Sequence, residues 1–110
     1  MKIAIPMAEG RLATHFGHCQ EFAILEVADN TIKDKQVLPP PPHEPGVLPK
    51  WLQAQGADLV IAGGMGNRAM QLFAEAGIKV LTGAPNDVPE TLVEQYLNGT
   101  LTTGDNACDH

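Results

Sequence analysis

The apolar positions of this chain follow two rhythms. Up to Leu38 they fall in short extended runs, and Lys2 to Pro6, Glu21 to Val27 and Thr31 to Leu38 read as three strands. Ala28-Asp29-Asn30 joins the last two, and its Asp-Asn pair suits a hairpin turn. Met7 to Gly10 turns away from the first strand. Arg11 to Cys19 has too few periodic apolar positions for a helix and reads as a loop. Pro39 to Pro42, with His43-Glu44-Pro45-Gly46, forms a stiff extended connector. Beyond it the spacing turns helical: Leu48, Trp51 and Leu52 stripe a helix over Val47 to Gln55, which Gly56 stops.

The stretch from Asp58 to Val80 orders the rest. Leu59 to Ala62 is a continuous apolar run, as expected for a strand buried on both faces. Gly63-Gly64-Met65-Gly66 breaks it, and Ala69, Met70, Phe73 and Ala76 then recur at helical spacing. Gly66 or Asn67 can cap this helix and Gly77 can end it. Ile78 to Leu81 reads as another strand, and Val88 to Leu97 as a final helix closed by Asn98-Gly99. The order is three strands, helix, strand, helix, strand, helix. An antiparallel meander entering parallel alternation predicts a mixed five-stranded α/β sheet flanked by about three helices. Ligands of parallel units sit beyond the carboxyl ends of the strands, which makes Gly63 to Gly66 the expected floor of a site.

Composition narrows the classes of function. The chain has 110 residues, enough for a single domain over 1–110 with a modest core. It is 44% hydrophobic, yet Phe, Tyr and Trp make up only 5%, so aliphatic side chains must fill the interior. Seven basic residues face thirteen acidic ones for a net charge of −6, without a basic cluster, so nucleic acid is not an expected partner. No apolar run approaches the roughly 20 residues of a membrane span. Pro6 arrives too early for a signal-peptide core, and the expected location is the cytoplasm, where cysteines stay reduced.

Both cysteines lie in short histidine-bearing segments, His15-Phe16-Gly17-His18-Cys19 and Cys108-Asp109-His110. Thiolate and imidazole bind soft and borderline metals, so His15, His18, Cys19, Cys108 and His110 are candidate ligands. Each segment also has a structural reading: Cys19 as a small core residue, His110 as part of a frayed end. If the first and fourth strands are parallel neighbours, the His15 segment and the glycine turn emerge at one end of the sheet. Gly63, Gly64 and Gly66 would then let a ligand approach the backbone closely. Met65, expected in an exposed turn, could line a sulfur-rich site or cap the core, and His43 could join from the connector or stand solvated. Arg68 falls in a helix's first turn, where the dipole disfavours a cation unless an anion is near.

The segments MKIAIP, HFGHC, HEPGVLPKWL, GADLVIAGGMGNRAM, GIKV, LNGTL and GDNACDH, in this order, resemble the dinitrogenase iron–molybdenum cofactor biosynthesis family of NifX/NifB type, which includes the orange protein. The resemblance runs nearly end to end. It implies a ribonuclease H-like fold and non-enzymatic binding or carriage of an iron–sulfur or molybdenum-containing metal–sulfur cluster, handled anaerobically. It also implies a possible protein partner in cluster assembly or delivery. Three other readings stand beside it. A nuclease needs carboxylates holding metal ions, and neither Ile3 to Met7 nor the turn after Ala62 has any. A phosphate- or nucleotide-binding reading of GGMGN lacks a Lys and a GxGxxG. A scaffold or regulatory module would use the same loops structurally.

Overall fold

A computed structural model describes residues 1–16, 19–41 and 47–104. Six strands and three helices follow one another in the described chain: β1 (Lys2–Ala8), β2 (Arg11–Leu12), β3 (Glu21–Ala28), β4 (Thr31–Leu38), α1 (Val47–Ala54), β5 (Leu59–Ile61), α2 (Asn67–Glu75), β6 (Lys79–Leu81) and α3 (Pro89–Asn98). The strand order is β4-β3-β1-β5-β6, with β2 paired to β1 off that path. β1, β3 and β4 form the expected antiparallel meander, while β5 lies parallel to both β1 and β6. The sheet is thus mixed, and it has one strand more than the five expected. Arg11–Leu12, expected to be loop, pairs with Met7 and Ala8. A two-residue strand is too short to leave an alternation in the sequence.

Local chemistry accounts for the joints. Asp29 and Asn30 both take positive φ, 53° and 59°, the left-handed pair a tight hairpin demands. α3 begins with Pro89 just inside its N-terminus and ends at Gly99 in the left-handed conformation. Pro6 sits in a central strand at little cost. Its carbonyl accepts from Ala13 N–H on the side where β5 pairing has stopped at Ala4, so its missing donor breaks no bond to β3.

Two apolar layers cover the sheet. On one face Ile3, Ile5, Leu25, Leu59 and Ile61 pack with Leu92 and Val93 of α3. On the other, Ala4, Phe22, Ile24 and Val60 pack with Leu48 and Leu52 of α1 and Phe73 of α2. Side-chain alternation assigns successive residues of β1 to opposite layers. Met65 belongs to the second layer and is fully buried. Of the two readings of Met65, the thioether therefore joins the core, and it is not exposed in the glycine turn. The turn folds inward at this residue and delivers Met65 to the core beneath it. Among the described residues, no helix is long and apolar enough to cross a membrane.

Candidate functional site

The parallel pairing of β1 with β5 places the loops that follow them at one end of the sheet. Backbone bonds then join these loops directly. His15 bridges Gly64 in parallel: Gly64 N–H donates to Thr14 O at 2.7 Å, and Phe16 N–H donates to Gly64 O at 2.8 Å. A third loop, after β6, is joined by Gly83 N–H donating to Gly63 O at 2.7 Å and Ala84 N–H to Ala62 O at 3.1 Å. Leu12 N–H donates to Asp87 O at 2.9 Å, and the Asn86 side-chain amide donates to Leu12 O. Arg11 reaches the same loop, its guanidinium donating to Asn86 O at 3.3 Å. These bonds lock the loops around a cavity of about 150 Å³ lined by Leu12, Thr14, Gly63, Gly64, Gly83, Ala84 and Asn86.

The glycines of the turn do unlike things. An added Cβ on Gly63 would stand 2.8 Å from Thr14 O, so this glycine exists for the backbone crossing. Gly64 spends both its amide and its carbonyl on the His15 bridge. Gly66 takes φ −66°, which any residue adopts, and an added Cβ would meet nothing within 4 Å. It caps α2 without a side-chain hydrogen bond, and the first turn of that helix holds no acid but does hold Arg68. The partial positive charge of the helix N-terminus therefore lies where space is open, with an exposed arginine in the same turn.

His15 is exposed beside this turn. Its loop is pinned by the next residue: Phe16 packs edge-on against Phe73 of α2 and Phe22 of β3, at 5.6 and 6.0 Å between centroids. Cys19 is a free thiol, half-buried against the second apolar layer. Burial pushes its thiol above the ordinary value, and a backbone hydrogen bond opposes that rise. His18, His43, Cys108 and His110 lie outside the described residues. Among the described residues no group of three or more His, Cys, Asp or Glu is arranged to hold a metal ion. The structure thus brings His15 and Gly63 to Gly66 together, puts Cys19 three residues beyond Phe16, and withdraws Met65 into the core.

Sequence reasoning missed Gly83, Ala84 and Asn86. The signal was available, because a glycine stands two residues past the end of β6 as another does past the end of β5, at the same end of the sheet.

Residues 1–99 match the family described as dinitrogenase iron-molybdenum cofactor. An uncharacterized protein of Methanocaldococcus jannaschii is 31% identical over 106 residues, spanning 92% of this chain and 89% of that protein. The crystal structure of the protein PH0822 superposes with a TM-score of 0.87 at 28% identity, covering 94% of each chain. The apo form of the orange protein from Desulfovibrio gigas gives a TM-score of 0.75 at 22% identity, over 96% of this chain and 93% of that one. At that identity the likeness speaks for the fold. The chain belongs to the dinitrogenase iron–molybdenum cofactor family.

Proposed function

We propose, from this membership, that the chain binds and carries an anionic iron–sulfur or molybdenum-containing metal–sulfur cluster and does not act on it as an enzyme. The observation that carries the reading is Gly66: a glycine that neither φ nor packing requires, open to solvent, at a helix start with Arg68 and no acid. A sulfur-rich anion there would accept amide N–H bonds and offset the dipole, despite a net charge of −6. The donors present fit such a group. His15 offers imidazole and Cys19 a thiol, and His18, Cys108, His110 and His43, outside the described residues, are the further donors proposed for the set. Met65, fully buried, would support the floor without touching the cluster.

A ribonuclease H-like ancestry fits the strand order, with binding in place of hydrolysis, because β1 carries no Asp or Glu. Delivery to a protein partner in cofactor assembly, in a reducing cytoplasm, completes the proposal. The test is to purify the protein without oxygen and load it with ferrous iron and sulfide, or with tetrathiomolybdate. The expected result is visible charge-transfer absorption with metal retained after desalting. Colourless, metal-free protein under both conditions would overturn it.

A further inference from the structure

We propose that the cavity between the loops after β2, β5 and β6 is a second binding site, for a small uncharged molecule with an apolar body and one hydrogen-bond donor. This site is separate from the one proposed for the cluster and does not depend on it.

The two apolar layers separate the sites. Leu12 and Ala84, the apolar side chains of the cavity wall, belong to the layer that packs with α3. Phe16, Cys19 and Met65 belong to the opposite layer, beneath α1 and α2. Among the described residues, neither His15, Cys19 nor Gly66 lines the cavity. The cavity therefore lies on the α3 side of this end of the sheet, and the start of α2 on the other.

The wall is ill-suited to an anion. Leu12, Gly64, Gly83 and Ala84 N–H already donate to Asp87 O, Thr14 O, Gly63 O and Ala62 O. Among the described residues no charged side chain lines the cavity. Arg11 lies outside it, donating to Asn86 O and standing 3.9 Å from Asp87 Oδ1. A charge brought against such a wall loses water and gains no partner, which is costly. Two side chains are placed to orient an uncharged guest. The Asn86 amide N–H is given to Leu12 O, so the other end of that planar group is an acceptor, Oδ1. Arg11 holds the same residue by its main chain, so this acceptor is fixed before any guest arrives. Thr14 adds a hydroxyl, which can donate or accept. Both residues are exposed, which gives the cavity a mouth. Its volume of about 150 Å³ is that of an apolar cavity able to hold benzene, so the guest has about six heavy atoms.

Amide chemical shifts of isotope-labelled, cluster-free protein test this at neutral pH, with isobutyramide and isobutyrate as probes. The two share one heavy-atom skeleton, but only isobutyramide is uncharged and carries N–H donors. The Gly64, Gly83 and Ala84 amides should shift saturably with isobutyramide, with a midpoint on the order of 1–10 mM for so few atoms. Isobutyrate should bind about tenfold more weakly or worse. Thr14→Leu fills the mouth with carbon and keeps the main-chain carbonyl that bonds Gly64, so it should remove the shifts. Shifts that never saturate with isobutyramide, or isobutyrate binding as tightly, overturn the proposal without needing the Thr14 variant to fold. Saturable shifts that persist in a folded Thr14→Leu protein overturn the location. The protein tested carries no cluster, so a failure of cluster loading leaves this result untouched, and saturable isobutyramide binding does not rescue a protein that never takes up metal.

Discussion

At the scale of single residues, two glycines that look equivalent in sequence answer to different forces, and substitution separates them. Gly63 is held by the Thr14 carbonyl 2.8 Å from its missing Cβ, so Gly63→Ala must push the two crossing loops apart and should lower stability. Gly66 has no such neighbour. Gly66→Asp gives α2 the side-chain cap it lacks, worth a few tenths of a kcal/mol over glycine. The same carboxylate would stand where an anionic cluster is proposed, so thermal melting should rise slightly while cluster uptake falls; a variant that loads like its parent would move the site elsewhere. Cys19 makes a pH-dependent prediction. Burial holds its pKa above the ordinary thiol value, so the neutral thiol is favoured in the folded chain. The stability this contributes is complete below the unfolded pKa and is lost as pH rises through the folded one. Near neutral pH, iodoacetamide should modify Cys19 more slowly in native apo protein than in denatured protein. Equal rates would show an unburied thiol.

At the scale of elements, much of the fold was legible because its long segments carry clear periods. The eight residues of β3 and the stripe Leu48, Trp51, Leu52 of α1 announce themselves by apolar spacing. β2 has only two residues, and its pairing to β1 is decided by the chain reversal at Glu9 and Gly10, φ 55° and 81°. For Met65 the sequence left two readings open, lining a site or capping the core, since glycine flanks say a turn occurs but not which way its side chains face; its full burial favours the second. Between elements, Phe16 is the joint that fixes the His15 loop, being wedged against both α2 and β3. Phe16→Ala should cost about 3–5 kcal/mol, a large share of a typical domain's 5–15 or so, checked by urea unfolding. A weaker joint ties α3 to the exposed edge strand β4: Lys35 Nζ lies 2.9 Å from Glu90 Oε2. The hydrogen bond from Lys35 holds the Glu90 carboxyl below its ordinary value. With both side chains more than a third exposed, Lys35→Met should cost only a few tenths of a kcal/mol. That loss should be present above the unfolded carboxylate pKa and vanish as pH falls through the folded one. A cost that persists in strong acid would assign it to packing.

At the scale of the whole molecule, the site was half legible. Its end of the sheet followed from parallel topology, and its glycine turn from the break after Ala62. The loop after β6 left one mark, the glycine two residues past its strand, but what recruits that loop is long-range backbone bonding, such as Gly83 N–H to Gly63 O, which the local pattern does not spell out. That bonding has a mechanical consequence. The His15 loop, the glycine turn and the Gly83–Asn86 loop are cross-linked in series by amide hydrogen bonds, so none can open without straining its neighbour. A ligand held by one loop should therefore stiffen all three. Binding at a hundredfold excess over Kd stabilises by about 2.7 kcal/mol, a rise in melting temperature on the order of 10 °C for a domain of this size. Hydrogen exchange should show where that free energy goes. The Gly64, Phe16 and Gly83 amides should slow together on loading, while the Lys35 edge of β4, at the far side of the sheet, keeps its apo rate. Protection confined to the Gly64 segment would mean that the loops move independently and that the cargo touches only one of them.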